Sequence, residues 1–263
     1  MAKKASTKRL CALPLGGVGE IGMNMMVYEC NGEILIVDAG VSFPDGMEAP
    51  GAEITLPDTK YLRENISKIR GVCVTHAHED HIGALGYIWE ELNDCPVYLS
   101  PFAKLVLQNK LSQAGHNAKS ERIHAALHGQ EYQIGPFTVE FVNITHSIPE
   151  GNSLAITTEY GTIVHTGDYK FDPTPVLGDP TDEKRLKEIG KQGVLAMFGD
   201  STGAMGDETL KSESDLIPEF EKVLKNAKQK IIFTTFASNT GRLIKMIELA
   251  AAHGRRICLL GRT

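Results

Sequence analysis

The sequence predicts an α/β fold, since apolar segments of strand length alternate along the chain with longer segments of helical character. Several apolar segments, such as Gly71–Val74, end directly at polar residues, which is typical of buried strands followed by loops. Hydrophobic residues make up 42% of the 263 residues and charged residues 23%, as in an ordinary globular protein. A chain of this length is long enough for one large domain, or for one domain and part of a second.

The N-terminal part is predicted to begin with strands. Apolar runs at Leu10–Leu15 and Met23–Cys30 are followed by Asn31-Gly32 and by a further run that ends at Asp38. An Asn-Gly pair between apolar runs predicts a β-hairpin with positive φ at both turn residues. Gly17–Gly22 satisfies the GxGxxG dinucleotide fingerprint, but that fingerprint requires a helix to follow. The hairpin therefore argues against NAD binding, and the glycines are predicted to bring backbone close to an active site or to form a tight turn.

Helices and strands alternate through the middle of the chain. Helices are predicted at Tyr61–Ile69 and Ile82–Leu92, and Pro101 is predicted to begin a helix that continues to about Ser112, because proline favours the first turn. A strand is predicted at Phe137–Asn143, and a hairpin of Ser153–Tyr160 and Thr162–His165 around Gly161. The segment Asp172–Gly190 is Pro-rich and then charged, and it is predicted to cover the surface near the candidate site described below. A short buried strand is predicted at Val194–Phe198.

A second α/β unit is predicted at the C-terminal end, with a boundary near residues 203–211. Its predicted elements are helices at Ser212–Lys228 and Thr240–His253 and strands at Lys230–Phe236 and Arg256–Leu260. Residues 206–263 hold ten Lys and Arg against seven Asp and Glu, whereas the whole chain has a net charge of −6. Four of the basic residues are Lys222, Lys225, Lys228 and Lys230. Two interpretations of them remain open: a surface that faces phosphate, or an ordinary solvated helix face.

The composition argues against a membrane protein and against a secreted one. No apolar run approaches the roughly 20 residues that a membrane-spanning helix needs. The basic start, Met1–Arg9, leads into no adequate apolar region, so a secretory signal is not expected. The five cysteines are scattered and odd in number, which favours reduced thiols and a cytoplasmic location, with no membrane partner.

The segment Thr75–His81 carries the strongest functional signal, because its sequence THAHEDH packs three imidazoles and two carboxylates into seven residues. It directly follows the apolar run at Gly71–Val74, so the cluster is predicted at the end of a buried strand and the start of a helix. Polar side chains at such a place each need a partner, which favours metal ligands over packing. The absence of any CxxC excludes a zinc finger, and the spacing is not that of an HExxH zincin.

This arrangement resembles the His-x-His-x-Asp-His signature of the metallo-β-lactamase superfamily. Three further residues stand at strand ends in the order of that superfamily's other motifs: Asp38, His146 and Asp168. The resemblance implies that His76, His78 and His146 hold a first metal. It implies that Asp80 and His81 hold a second, that Asp168 bridges the two, and that Asp38 orients the ligands through hydrogen bonds. Asp80 and Asp168 would then be the catalytic carboxylates.

The implied chemistry is metal-dependent hydrolysis. Imidazole ligands suit Zn²⁺, with two ions per complete site, while a mixed His and Asp set also accepts Mn²⁺ or Mg²⁺. Two metals roughly 3.5–4 Å apart can stabilise both the attacking and the leaving oxygen of a displacement, and a metal lowers the pKa of bound water toward about 7. A phosphoester is the natural substrate for such a pair of ions.

Four segments resemble the ribonuclease J group within this superfamily: the Gly-rich Leu15–Asn24, Thr166–Asp172, Gly199–Thr202 and Thr235–Asn239. The resemblance runs along nearly the whole chain and implies an αββα metallo-β-lactamase sandwich, incomplete, at residues 1–205. The start of an α/β β-CASP domain would follow at residues 206–263. In this group the chain continues and supplies a last histidine ligand and phosphate contacts, which are expected beyond Thr263. His253 is not assigned as a ligand, because it is predicted at a helix C-terminus.

The implied function is a ribonuclease that acts on single-stranded RNA as an endonuclease and a 5′–3′ exonuclease, in mRNA decay and rRNA maturation. A homodimer or higher oligomer is expected. Two alternatives remain open: another hydrolase of the same fold, such as a glyoxalase II-like thioesterase, and a non-catalytic RNA-binding or assembly subunit. Metal content separates the last from the others, and an assay of RNA against a thioester separates the two enzymes.

Overall fold

Two β-sheets packed face to face, with helices on both outer faces, form the αββα sandwich that was predicted. The computed structural model describes residues 9–44, 49–92, 94–206 and 212–261. Alternating residues of the strands divide the core into layers. Tyr28 and Leu35 lie between the sheets with Phe141, whereas Val27 and Ile36 face the outer helices. Successive residues of these strands point to opposite faces, and both faces are apolar, as a strand buried on both sides requires.

The first sheet has six strands in sequence order. They are β1 (Leu10–Gly16), β2 (Met25–Cys30), β3 (Glu33–Val37), β4 (Ile69–Cys73), β5 (Val97–Leu99) and β6 (Ile123–Ala125). The predicted hairpin between β2 and β3 is confirmed, with φ of 53° at Asn31 and 84° at Gly32. From β3 onward the strands are parallel, so their C-terminal ends meet at one edge of the sheet.

The second sheet has five strands in the order β11-β10-β9-β8-β7. They are β7 (Glu131–Ile134), β8 (Phe137–Ile144), β9 (Gly151–Thr158), β10 (Gly161–His165) and β11 (Ala196–Phe198). The strand predicted at Phe137–Asn143 and the hairpin around Gly161 are both confirmed. The strand predicted as buried at Val194–Phe198 is an edge strand, and its prediction as buried is wrong. Leu195 and Met197 are 57% and 67% exposed, because β11 has a partner on one side alone among the described strands.

Seven α-helices accompany the sheets in the described residues: α1 (Lys60–Glu64), α2 (Glu79–Ile82), α3 (Leu85–Ile88), α4 (Pro101–Gln113), α5 (Glu183–Gln192), α6 (Ile217–Asn226) and α7 (Thr240–Ala252). Short 3-10 helices lie at Ile66–Lys68, Trp89–Leu92 and Glu213–Leu216. The helix predicted from Pro101 is confirmed, and Ser100 caps it by accepting a hydrogen bond from the Ala103 amide. None of the described helices is both long and apolar enough to cross a bilayer.

Two predicted helices are interrupted, and each interruption has a local cause. The predicted helix Tyr61–Ile69 ends at Glu64, because the Asn65 side chain donates a hydrogen bond to the Tyr61 carbonyl. The predicted helix Ile82–Leu92 begins earlier, at Glu79, and is divided into α2 and α3. In a continuous helix the Ala84 amide would donate to the Asp80 carbonyl. Here the Asp80 carbonyl accepts from the Asn24 amide, and the Ala84 amide donates to the Ala39 carbonyl. Contacts with distant loops therefore break the helix beside the candidate site.

The segment Asp172–Gly190 was predicted to cover the surface near the site, and its charged part forms α5, which begins at Glu183 after Asp182 as its cap. Ile189 and Leu186 of α5 pack on the outer face of the second sheet. The preceding residues Val176 and Leu177 lie beside His146 along a small cleft. The first part of this segment thus lies near the site, as expected, and the second part covers the sheet.

The predicted helices of the C-terminal part are confirmed, but its predicted strands are wrong. The helix predicted at Ser212–Lys228 corresponds to α6 and the 3-10 turn before it, and α7 matches Thr240–His253. Lys230–Phe236 and Arg256–Leu260 adopt no strand, and neither pairs with a strand among the described residues. The backbone N–H and C=O groups of a strand form their hydrogen bonds with a neighbouring strand. The apolar composition of these two segments was therefore not sufficient to predict strands.

Candidate metal centre

The candidate site lies where β3 and β4 end side by side. Val37 and Cys73 are partners in the parallel register, so the next residues, Asp38 and Val74-Thr75, leave the sheet together. The Asp38 amide donates to the Cys73 carbonyl at 2.9 Å, which continues the pairing by one residue. The cluster His76–His81 follows immediately, at the edge where parallel α/β sheets present their functional groups.

The second sheet brings two further residues to the same edge. β8 ends at Ile144, two residues before His146, and β10 ends at His165, three residues before Asp168. The Asn152 amide donates to the Thr75 carbonyl at 3.0 Å and links the sheets at this point. Gly167 has a φ of 58°, and a Cβ there would lie 2.8 Å from the Asn152 carbonyl oxygen. The turn before Asp168 therefore needs glycine for both its conformation and its space.

Four residues form a histidine-rich group: His76, His78, His146 and Asp168. His78 Nδ1 lies 3.1 Å from His76 Nε2 and 3.0 Å from His146 Nε2. Asp168 Oδ2 lies 3.9 Å from His146 Nε2. One ligand atom from each of the four residues lies within 4.8 Å of the others. Three imidazole nitrogens and a carboxylate oxygen therefore face a common centre.

The imidazoles of this group are held in the neutral form. Burial, and then the neighbouring imidazoles, hold the pKa of His76 well below its usual value. Burial likewise lowers the pKa of His78 and lowers that of His146 to about 4. Each ring then has one nitrogen without a proton, and neutral imidazole is the form that ligates a metal.

Thr75 fixes the orientation of His76. The Thr75 hydroxyl donates to Asp38 Oδ2 at 2.8 Å and lies 3.0 Å from His76 Nδ1. Since its proton goes to the carboxylate, the hydroxyl accepts from His76 Nδ1, and the free lone pair of His76 is on Nε2. That is the atom that points to the centre of the histidine-rich group, so hydrogen bonding behind the ring selects its ligating atom.

Three residues form an acidic group: Asp80, His81 and Asp168. His81 Nε2 lies 3.2 Å from Asp168 Oδ1 and 3.5 Å from Asp80 Oδ2. Burial alone would lower the pKa of His81, but the carboxylates of Asp38 and Asp168 outweigh it and hold this pKa well above its usual value. For Asp168, burial alone would raise the pKa, but the hydrogen bond from His81 outweighs it and lowers it.

Asp38 supports both groups from behind. Its Oδ1 accepts from the Thr75 amide at 2.7 Å, and its Oδ2 accepts from the Thr75 hydroxyl and from His81 Nδ1, each at 2.8 Å. The side chain is 1% exposed and the residue has a φ of 62°, an uncommon conformation in which Asp is tolerated. The bond to Nδ1 leaves His81 Nε2 directed at the acidic group.

Asn24 completes the acidic group, and its position was not foreseen from the sequence. Its Nδ2 lies 3.2 Å from Asp80 Oδ2, 3.1 Å from the Asp80 carbonyl and 3.1 Å from His81 Nε2. Gly40 lies against the same turn, because a Cβ there would be 1.6 Å from the Asp80 carbonyl oxygen. Asn24 ends the Gly-rich Leu15–Asn24, so this segment places a side chain, as well as backbone, at the site.

All six predicted ligands are brought together in the two groups, and Asp38 lies directly behind them. Other residues singled out in the sequence lie elsewhere. His253 caps the C-terminus of α7, and Gly254 follows with a φ of 66°. The GxGxxG run leads into β2 and a hairpin, which is incompatible with a dinucleotide fold. The four lysines from Lys222 to Lys230 are solvent-exposed.

The donor set fits divalent metal ions. Each group offers at least three ligand atoms. In the histidine-rich group, His78 Nδ1 lies within 3.1 Å of both His76 Nε2 and His146 Nε2, and it carries at most one proton. These two contacts therefore cannot both be N–H···N hydrogen bonds. A lone pair without a partner costs free energy in such a place, and a bound cation would serve as the partner. Asp168 belongs to both groups, with Oδ1 toward His81 and Oδ2 toward His146. This carboxylate is therefore placed to bridge two ions.

Comparison with known proteins adds an independent finding. The family model of the metallo-beta-lactamase superfamily matches residues 18–215. A second family model, that of the ribonuclease J beta-CASP domain, matches residues 228–263. The two matched segments follow one another in the order that the sequence predicted.

Several curated relatives are similar over almost the whole chain. A ribonuclease J of Sinorhizobium meliloti is 44% identical over 98% of this chain and 46% of its own length. One from Helicobacter pylori is 41% identical over 99% of this chain and 37% of its own length. One from Synechocystis is 40% identical over 100% of this chain and 41% of its own length. The chain thus spans less than half the length of these relatives.

A crystal structure shares the fold. It is that of a protein of unknown function from Enterococcus faecalis V583, with a TM-score of 0.66 and 18% sequence identity. The superposition covers 91% of this chain and 63% of the other. At this identity the likeness concerns the fold alone, and it agrees with the layered arrangement of the two sheets.

Proposed function

Because the chain belongs to the metallo-β-lactamase superfamily, we propose that its two ligand groups hold a pair of divalent ions and that the pair hydrolyses phosphodiester bonds in RNA. The observation that carries this proposal is the convergence of five other candidate ligands around Asp168. Its two oxygens lie toward His81 at 3.2 Å and toward His146 at 3.9 Å. A carboxylate so placed suits a bridge between two ions, and paired ions are typical of phosphodiester chemistry.

The first metal would be held by His76, His78 and His146, and the second by Asp80 and His81, with Asp168 shared. Zinc is the proposed ion at both positions, since imidazole suits it, and Mn²⁺ or Mg²⁺ is the alternative. When bound, the ions supply Lewis-acid stabilisation of charge on phosphate oxygens and a hydrolytic nucleophile at neutral pH.

The residues of the chain prepare this chemistry. Thr75 holds His76 with Nε2 toward the centre, and Asp38 holds His81 with Nε2 toward the acidic group. Asp80 and Asp168 are the proposed catalytic carboxylates, because they face the centre and are the groups able to orient a reacting oxygen. Asn24 donates to Asp80 Oδ2 and keeps that side chain in place. His76, His81 and Asp80 are thus held in position by hydrogen bonds before a substrate arrives.

We propose single-stranded RNA as the substrate. The relatives named ribonuclease J and the match to their β-CASP domain support this choice. On the same support we propose endonucleolytic and 5′–3′ exonucleolytic cleavage in mRNA decay and rRNA maturation, a cytoplasmic location, and a homodimer or higher oligomer. Residues 1–205 are proposed as the metallo-β-lactamase part and residues 206–263 as the start of the β-CASP domain.

The test combines metal content with cleavage of a 5′-monophosphorylated single-stranded RNA by the purified protein. About two metals per chain and RNA cleavage are expected of the full-length protein. His76→Ala is expected to lose metal and cleavage together, because His76 is a ligand in this proposal. The matched control is His128→Ala, which removes an exposed histidine outside both groups and is expected to change neither quantity.

Three results would contradict the proposal. Full cleavage by His76→Ala would show that the cluster is not catalytic. Two metals with hydrolysis of a thioester such as S-lactoylglutathione, but not of RNA, would favour the glyoxalase II-like alternative. RNA binding without bound metal or cleavage would favour a non-catalytic subunit.

A further inference from the structure

Three large apolar side chains are exposed on two loops next to the acidic group. Val18 and Ile21 lie in the Gly-rich loop and are 65% and 88% exposed. Phe43 lies on the loop after β3 and is 64% exposed. Single exposed apolar residues are common on protein surfaces. These three differ because both loops are joined to the candidate metal centre.

Backbone contacts hold the two loops together and against Asp80. The Met23 amide donates to the Val41 carbonyl at 3.0 Å, and the Val41 amide donates to the Glu79 carbonyl at 3.0 Å. A Cβ at Gly22 would lie 3.4 Å from Ser42 Oγ, so the loops touch immediately beside Ile21 and Phe43. Asn24 then reaches Asp80. The backbone that carries Ile21 and Phe43 is therefore joined, within a few residues, to the turn that carries Asp80.

The Gly-rich loop has a defined shape and carries no positive charge. Gly17, Gly19 and Gly22 all have φ between 80° and 84°, and Met23 follows with a φ of 55°. The Gly17 amide donates to Glu20 Oε1 at 3.0 Å, which closes the loop on itself. Residues 15–24 contain no Lys or Arg. This loop therefore has no side chain with which to form an ion pair with phosphate. Its exposed side chains are Val18, Ile21 and Glu20, and the Glu20 carboxylate is engaged by the Gly17 amide.

We propose that Val18, Ile21 and Phe43 form a nucleobase-binding border, on which an unpaired base next to the scissile phosphate packs. This inference rests on the proposed function and adds to it the part of the substrate that this surface contacts. The ligand groups take the phosphate, and the apolar border takes the adjacent base. Every base has an apolar face, so such packing tolerates any sequence. It also requires an unstacked base, which selects single strands over duplexes.

The experiment pairs Phe43→Ala with a change in the RNA. Cleavage and equilibrium binding are measured on a single-stranded RNA and on the same RNA with abasic nucleotides at the two positions that flank the cleavage site. On the intact RNA, Phe43→Ala is expected to lower kcat/KM and to weaken binding about tenfold, the order of one lost base–aromatic contact. On the abasic RNA the same substitution is expected to change either quantity less than twofold.

Two further variants make the comparison specific. Phe43→Trp is expected to retain binding of the intact RNA, because a larger ring still packs on a base. Leu105→Ala removes a side chain that is 66% exposed on the outer face of α4, away from both loops, and is expected to change nothing. Metal content is expected to stay the same in all of these variants, since none of them is a ligand.

An equal loss on intact and abasic RNA, or no loss on either, would overturn the nucleobase-binding border. The proposal would also be overturned if Phe43→Ala left RNA binding unchanged but abolished binding of a protein that the unaltered chain binds. That result would assign the surface to a protein. Binding separates this inference from the proposed function. If the wild-type protein binds RNA but does not cut it, the hydrolytic proposal fails, while the effect of Phe43→Ala on binding still decides the role of the border.

Discussion

The two ligand groups of the candidate centre share Asp168 but differ in chemistry and in support. The histidine-rich group consists of one buried and two half-buried imidazoles whose pKa values are lowered by burial, and Thr75 orients His76. The acidic group has two carboxylates and a histidine, is more open to solvent at Asp80, and depends on Asp38 and Asn24 for its geometry. Soft nitrogen ligands favour Zn²⁺, whereas carboxylates also accept harder ions. If the two groups hold ions as proposed, this difference predicts one tightly held position and one exchangeable position.

Asp168→Ala should produce the largest effect, because it removes a ligand from both groups at once. We expect cleavage to fall by at least about a thousandfold, since metal ions supply several kcal/mol of charge stabilisation. Metal content should fall below one ion per chain, as measured by inductively coupled plasma mass spectrometry. Asp179→Ala, an exposed carboxylate outside both groups, is the control. Two retained ions in Asp168→Ala would show that the groups do not share this ligand.

His146→Ala should separate the groups, because His146 belongs to the histidine-rich group alone. We expect loss of one ion, retention of the other with the acidic group, and a fall in cleavage of about a hundredfold or more, because one metal still acts as a Lewis acid. Metal counting on the purified variant, with His128→Ala beside it, measures this. Loss of both ions would mean that the acidic group does not bind by itself.

Metal exchange should distinguish the two positions in the unaltered protein. After dialysis of the zinc-loaded protein against excess Mn²⁺, we expect about one Zn²⁺ and one Mn²⁺ per chain, because the acidic group offers oxygen ligands and the other group nitrogen. Elemental analysis and the electron paramagnetic resonance signal of Mn²⁺ report the result. Equal exchange at both positions would contradict the comparison.

Asp38→Asn should weaken the acidic group more than the histidine-rich group. Asn tolerates the positive φ at this position, so the backbone should be retained. An amide cannot accept from the Thr75 amide, the Thr75 hydroxyl and His81 Nδ1 as the carboxylate does. We expect metal affinity at the acidic group to fall about 10- to 100-fold. Competition with a chromophoric chelator measures it, and an equal fall at both positions would be unexpected.

Asn24→Ala should give the smallest effect. The Asn24 side chain makes a hydrogen bond to Asp80 Oδ2, and a hydrogen bond of this kind contributes about 1 kcal/mol. We therefore expect affinity at the acidic group to fall about three- to tenfold, with the other group unaffected. The same competition assay measures this, with Asn117→Ala as the control. A loss as large as that of Asp38→Asn would make Asn24 a principal support instead of a minor one.

That the candidate ligands lie together could be predicted from the sequence, because each follows a strand in the order of the superfamily's motifs, and strand ends gather at one edge of a sheet. His76, His146 and Asp168 were found in this way, as was Asp38. Asn24 could not be found, since its contact with Asp80 depends on how a glycine loop folds against residues 56 positions later. The orienting role of Thr75 was also missed, because a hydroxyl next to a ligand carries no pattern of its own.

The same distinction explains the elements. Helices α6 and α7 were predicted correctly, since a helix satisfies its hydrogen bonds within one segment. The strands predicted at Lys230–Phe236 and Arg256–Leu260 were wrong, since a strand requires a partner that its own residues do not specify. The break between α2 and α3 has a related cause, because a distant Asn24 takes the Asp80 carbonyl. Local patterns were reliable where the hydrogen bonds are local.

The order of the ligands along the chain has a consequence for biosynthesis. His76 to His81 leave the ribosome first, and Asp168 follows 87 positions after His81. At 5–20 residues per second this interval lasts about 4–17 s. At the start of this interval, before β8 and His146 have been synthesised, the nascent chain displays three histidines and an aspartate, and a cation bound then would be held by ligands from one loop. If the proposed pair of ions is bound, Asp168 can join the two ligand groups only after this interval.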